Sequence, residues 1–211
     1  MAVRDVEIDT FYEDLWAHVQ PESSRRLLVA ALEAFAAHGF AGSTTREIAE
    51  AAGMSPANLY VHYRSKSALL FEISRIGHEG VLAAIGEAAR DAATATESLR
   101  VCVEVFVVWH ARFHTLGRVC QYELKALDGP QKATIAELRH ATQQQLEGIL
   151  RAGVESAEFD IEDLRGTARA ILSLGIDVAR WFTDDGTATP EDLAHLYADL
   201  TLRMVGAGRR A

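Results

Sequence analysis

Apolar residues recur along this chain at spacings of three and four, the period of a helix with one buried face. Ile8, Phe11, Tyr12, Leu15, Trp16 and Val19 form the first stripe, with Thr10 and Glu13 spaced as a capping box and Pro21 as a stop. Leu28, Ala31, Leu32 and Phe35 form the second, which predicts a helix over about 23–38 closed by Gly39 in a left-handed C′ position. Thr44 and Glu47 open a short third helix as a capping box, and Gly53 marks a turn whose backbone is expected at positive φ. Ser55 caps a fourth helix that runs to about Tyr63, with Pro56 at its first position, where a missing N–H costs nothing. Ser65 caps the next, which passes Ile76 and extends toward Arg90. Further helices are expected near 98–115, 118–127, 131–153, 160–183 and 190–206, with breaks at Leu116-Gly117, Asp128-Gly129-Pro130, 153–159 and 184–190. No strand-like alternation lasts beyond a few residues, so the pattern predicts an all-α protein.

Composition narrows the class. The 211 residues, 49% apolar and 24% charged, suit a globular chain with a small domain and a larger one. The weakly helical run at 91–98 marks the join. The expected division is an amphipathic extension at 1–21, a small domain at 22–70, a connecting helix at about 65–90, and a larger domain at 91–211. Two cysteines, Cys102 and Cys120, exclude a disulfide framework and a four-cysteine zinc site. The acid-rich first fifteen residues do not read as a secretory signal. The longest apolar run, 101–109, is broken by Glu104 and falls far short of the roughly 20 residues a membrane span needs. A cytoplasmic protein without a membrane partner is expected.

The net charge of −9 argues against nucleic acid until its distribution is considered. Residues 22–66 carry five basic and four acidic side chains, whereas the flanking segments are strongly acidic. Only this segment is not repelled by phosphate, and a small, well-placed contact set there suffices for DNA binding.

Residues 44–66 read TTREIAEAAGMSPANLYVHYRSK, a short helix, a glycine turn and a second capped helix. That is the helix-turn-helix pattern, with Ile48, Ala49 and Leu59 as its internal core. Pro56, Ala57 and Asn58 keep the start of the second helix small, which lets its backbone approach base edges in the major groove. Asn58 offers a donor and an acceptor to an adenine, and Ala57 suits a thymine methyl. Thr44, Thr45, Arg46, Tyr60, His62 and Lys66 are donors suited to phosphates.

These residues resemble the TetR family of bacterial transcriptional regulators over about 24–71. The likeness takes in Phe35, His38-Gly39-Phe40, Thr44 to Ala49, Ala52 to Ser55, Leu59-Tyr60, His62-Tyr63 and Ser65 to Leu70. It implies an all-α dimer that binds a pseudo-palindromic double-stranded operator and is released by a small-molecule effector held in the larger domain. It also implies that Tyr63 packs between helices and that Lys66, Tyr60 and Thr45 contact phosphates. Pro56 departs from the polar or basic residue more common there.

The same resemblance places a homodimer interface on the helices at about 160–183 and 190–206. Both carry apolar stripes, although such faces equally suit closure of a subunit's own core. The effector chamber is expected among helices at 98–183, where the run 101–114 is apolar and aromatic. Glu104, Val107, His110, Phe113, His114, Tyr122, Arg180 and Trp181 are the candidate contacts, with Phe106, Trp109, Gln121 and Leu127 nearby in the pattern. Plain core packing is the competing reading of each. The run Ala179 to Phe182 is similar to a subgroup of TetR-type repressors that senses acyl-CoA thioesters. His110 and His114 have the spacing of two metal ligands on one helix face, but two ligands are not a site, so no metal and no cofactor is expected. A helical lipid or thioester carrier would share the chamber but has no use for residues 44–66. An enzyme would need a catalytic motif, and one unpaired Glu137–His140 spacing does not make a di-iron site.

Overall fold

The computed structural model describes residues 15–208. Thr10, Glu13 and the first half of the N-terminal stripe lie outside them. Leu15 and Val19 from its second half are buried, and Trp16 packs against the core.

Three helices form the head: α1 (Glu22–Gly42), α2 (Thr45–Ala51) and α3 (Pro56–His62). The caps read from the sequence are present. Thr44 accepts from the Glu47 N–H while the Glu47 carboxylate accepts from the Thr44 N–H, and Ser55 accepts from the Asn58 N–H. Gly53 turns the chain between α2 and α3 at φ +70°, a conformation that side chains resist. Gly39 breaks α1 rather than closing it in the left-handed region. Its φ of 69° comes with ψ of 166°, and a further turn runs on to Gly42. Leu27, Leu28, Ala31 and Phe35 from α1 meet Ile48, Ala49 and Leu59, all sealed from solvent.

The body consists of α4 (Lys66–Ala88), α5 (Ala95–Arg112), α6 (His114–Tyr122), a 3-10 turn (Leu124–Ala126), α7 (Gly129–Glu155), α8 (Leu164–Trp181) and α9 (Pro190–Met204). No strand occurs among the described residues. Helix α4 joins the parts: it packs on α1 at one end and on α5, α6 and α7 along its length. Helix α6 also touches α1, giving the head a second contact with the body. The sequence break expected at Leu116-Gly117 falls instead at Phe113, where φ and ψ leave the helical region at −102° and 35°. Gly117 lies inside α6 for a different reason. A Cβ there would come within 2.7 Å of the Ala179 methyl, so glycine permits α6 and α8 to approach. Gly175 does the same for α8 against Phe106 of α5, at 2.6 Å.

Glu158, in the loop after α7, caps α5 from outside. Its carboxylate accepts from the Ala95 and Thr96 N–H groups, at 3.2 and 2.8 Å, and from Ser156 Oγ at 2.8 Å. Hydrogen bonds from Thr96, with Ser156 adding to them, hold its pKa down at about 2. The folded state thus favours the carboxylate. Its contribution to stability is present above the unfolded value of about 4.3 and is lost as pH falls toward 2. Glu158→Ala is expected to lower Tm by about 2–4 °C at neutral pH and to flatten the fall of Tm between pH 4.5 and 2. Thermal melts across that range check it; an unchanged acid limb removes the capping role.

Candidate operator-binding surface and effector chamber

Helix α3 stands on Leu59, which is buried, and turns Pro56, Ala57 and Asn58 to solvent. Tyr60 is also exposed, and its hydroxyl lies 3.1 Å from Thr45 Oγ1, tying α3 to the first turn of α2. Thr44 and Arg46 are exposed beside them. Arg46 pairs with Glu50 at 2.9 Å on the same helix, a solvated ion pair of small energy that a phosphate can replace.

Two of the expected phosphate donors are tied inward. Lys66 Nζ donates to the carbonyls of Phe40 and Ser43, the latter at 2.6 Å, and sits 4.4 Å above the Phe40 ring. A cation there satisfies carbonyls left open at the end of α1. Two of its three N–H donors are thus engaged, leaving one. His62 Nδ1 lies 3.1 Å from Ser24 Oγ, and the Tyr63 hydroxyl donates to the Ser24 carbonyl at 3.4 Å. Burial pushes the Tyr63 pKa up to about 12. These two side chains fasten α3 to α1.

In the body, α4 to α8 enclose a chamber of about 210 Å³. Its wall is largely apolar: Val81, Phe106, Trp109, Phe113, Leu116, Leu172 and Ile176. His78, His110 and Cys120 add polar atoms inside. Arg139 of α7 and Arg169 of α8 line it from exposed positions, so they stand at its mouth. Neither has a carboxylate within salt-bridge distance among the described residues. Burial lowers the His110 pKa to about 4, with the neighbouring His78 adding to the depression. Burial also lowers that of His78 and raises the Cys120 thiol to about 12, so at neutral pH all three are uncharged.

Of the residues singled out in the sequence, His110 and Phe113 line this chamber, as do Phe106, Trp109 and Gln121. The others lie elsewhere. Glu104 is 3.8 Å from Arg100, on a side of α5 that feels His195 and Asp199 of α9, and burial raises its pKa. Val107 is sealed in the α5–α8 contact near Gly175. The His114 ring is 5.6 Å from that of Phe182, and its Nδ1 lies 2.9 Å from the Ala111 carbonyl. Arg180 pairs with Asp177 at 2.7 Å, while Tyr122 and Trp181 are exposed. Leu127 is buried away from the cavity. His78, Arg139 and Arg169 were missed because they come from α4, α7 and α8, and only packing brings them to α5. The signal in the sequence was a histidine one turn after Ser74 on the inward side of α4. Among the described residues no group of three His, Cys, Asp or Glu side chains is placed to hold a metal ion, and no helix is long and apolar enough to cross a membrane.

A capped helix-turn-helix head on an all-helical body is the architecture of a helix-turn-helix transcriptional regulator. Residues 27–73 match the family model described as bacterial regulatory proteins, tetR family, and residues 92–205 that of the tetracyclin repressor-like C-terminal domain. The chain belongs to the TetR family. It is 27% identical to the HTH-type transcriptional repressor KstR2 of Rhodococcus jostii, over 86% of this chain and 91% of that protein. Among solved structures, a tetR-family regulatory protein from Rhodococcus RHA1 shares 41% identity at a TM-score of 0.86, covering 90% of this chain and all of that one. AibR, solved in complex with isovaleryl coenzyme A and operator DNA, shares 25% identity at a TM-score of 0.76, over 87% of this chain and 98% of that one.

Proposed function

We propose that this protein is a dimeric, ligand-responsive repressor. In this reading it binds a palindromic operator through α3 and releases it when an anionic amphiphile, a short-chain acyl-CoA thioester, enters the chamber. The observation that carries the reading is an apolar chamber with two guanidinium groups at its mouth, built on the helix whose first residue braces the head. Guanidinium groups suit the phosphates of a coenzyme A head group, and the aromatic wall suits the acyl chain. The likeness to AibR, which was solved with isovaleryl coenzyme A and operator DNA, supports the same pairing of ligands. Size limits the acyl group. A cavity of 150 Å³ holds one benzene ring, so about 210 Å³ takes roughly eight non-hydrogen atoms.

The route to the head is short. Helix α4 lines the chamber with Gly77, His78 and Val81, and α6 lines it with Leu116, Gly117 and Cys120. Both helices reach α1. Ser67 at the start of α4 also donates to Gln131 Oε1, at 2.8 Å, on α7. A ligand that parts α4 from α6 shifts both supports of the head. It thereby changes the separation of two recognition helices that must sit about 34–36 Å apart to fill successive major grooves.

Fluorescence anisotropy with DNA from upstream of the protein's own gene, at two salt concentrations, tests this. Selective binding is expected to weaken about 10- to 100-fold with isovaleryl- or octanoyl-CoA and much less with stearoyl-CoA. Selective DNA binding that no acyl-CoA alters overturns the ligand class. Acyl-CoA binding with no selective DNA binding points to a carrier.

A further inference from the structure

Two imidazoles in the chamber share an unusual constraint. His78 Nδ1 lies 2.7 Å from the Ser74 carbonyl, and His110 Nδ1 lies 2.8 Å from the Phe106 carbonyl, each on its own helix one turn back. A carbonyl only accepts, so both Nδ1 atoms carry the proton. A neutral imidazole has one N–H, which leaves each Nε2 as a bare lone pair. Both rings are neutral at pH 7, because burial disfavours their charged forms. Neither Nε2 has a hydrogen-bond partner among the described residues. Neither is sealed from solvent, since the sealed and unpartnered side-chain atom among the described residues is Ser74 Oγ. With each Nδ1 held against its own backbone, the opposite edge of each ring is the one left open, and both residues line the chamber. The rings are close enough for charge on one to oppose charge on the other.

We infer that the chamber selects an effector whose buried apolar end carries a hydroxyl group, which donates its one proton to the Nε2 of His78 or His110. A plain hydrocarbon chain would leave both lone pairs dry and unmatched, and a hydroxyl removes that penalty at one of them. A bare carbonyl would set acceptor against acceptor. The fitting class is a compact hydroxylated group of about eight non-hydrogen atoms, such as a hydroxyacyl chain or a hydroxylated ring. This rests on the chamber being the effector site, and it adds the functional group that the site reads.

Phenol and toluene, equal in size and differing in the donor, are the probes, with benzaldehyde as an acceptor-only control. Their dissociation constants are measured by NMR titration of the full-length protein, for wild type, His78→Leu and His110→Leu. The phenol-to-toluene affinity ratio is expected to fall at least about tenfold in the variant that lacks the accepting Nε2, a comparison that cancels their different hydrophobicity. In the wild type, long-range proton–nitrogen spectra should show both Nε2 atoms unprotonated, at least one of them moving on addition of phenol and both staying put with toluene or benzaldehyde. That measurement needs no variant to fold. Equal ratios in all three proteins, or Nε2 signals indifferent to phenol, overturn the hydroxyl inference while leaving the chamber intact. Failure of every probe to perturb chamber residues overturns the effector-site reading as well.

Discussion

Leu196→Glu combined with Leu200→Glu is expected to yield a folded monomer that binds operator at least about 100-fold more weakly. Leu193, Ala194, Ala198 and Leu202 of α9 are buried on the α5 side. The other face presents Leu196, Leu200 and Met204 at successive turns, and α8 adds Leu174 and Trp181; these five side chains are 43–53% exposed. An apolar patch of this kind on two helices is costly in water and fits a self-complementary interface. Each of the two leucines is already about half buried, so sealing the rest in an interface would contribute roughly 1 kcal/mol, and the double variant would bring four carboxylates into one dimer interface. Operator affinity falls with assembly because the second half-site is then no longer held at high effective concentration. Since the two leucines are exposed within the subunit, Tm of the monomer itself should change little. Analytical ultracentrifugation and anisotropy on one preparation decide it. A variant that stays dimeric with unchanged operator affinity places the interface elsewhere.

Ala57→Glu is expected to lower operator affinity by about 100-fold or more while leaving the fold intact or slightly stabilised. The two effects have opposite signs for a physical reason. Ala57 is the second residue of α3 and is exposed. An acidic side chain in a first helical turn interacts favourably with the open N–H groups, by about 0.3–1 kcal/mol. Against DNA, the same carboxylate meets phosphates at short range and fills the gap that alanine leaves for a base edge. A thermal melt read beside an anisotropy titration separates the two. Affinity within about threefold of wild type, in a variant with unchanged Tm, would remove α3 from the DNA interface.

The head was legible because its signals are local. Thr44 with Glu47, Ser55 with Pro56, and Gly53 at the turn act over three or four residues, and each appears in the structure in the role its spacing implies. The side chains around α3 were less legible. Lys66 and His62 carry the donors a phosphate needs, yet Phe40, Ser43 and Ser24, distant in sequence, take up most of that capacity. Composition cannot show such competition, because it depends on which carbonyls and hydroxyls the folded chain brings within 3 Å or so.

The chamber marks the other limit. His110 and Phe113 were visible as part of an apolar aromatic run on one helix. His78, Arg139 and Arg169 sit on three further helices; α4 and α7 pack on each other, and Gly117 and Gly175 let α8, which carries Arg169, close on α6 and α5. The chain by itself determined that it is helical, where its caps lie, and that residues 44–66 form a helix-turn-helix, since these follow from hydrogen bonding and periodicity within a few residues. Only the tertiary structure decided which side chains face a common cavity, which donors are already satisfied, and which apolar face of α8 and α9 stays uncovered. Those depend on the approach of segments tens of residues apart, and a one-dimensional period does not encode the distance between helices.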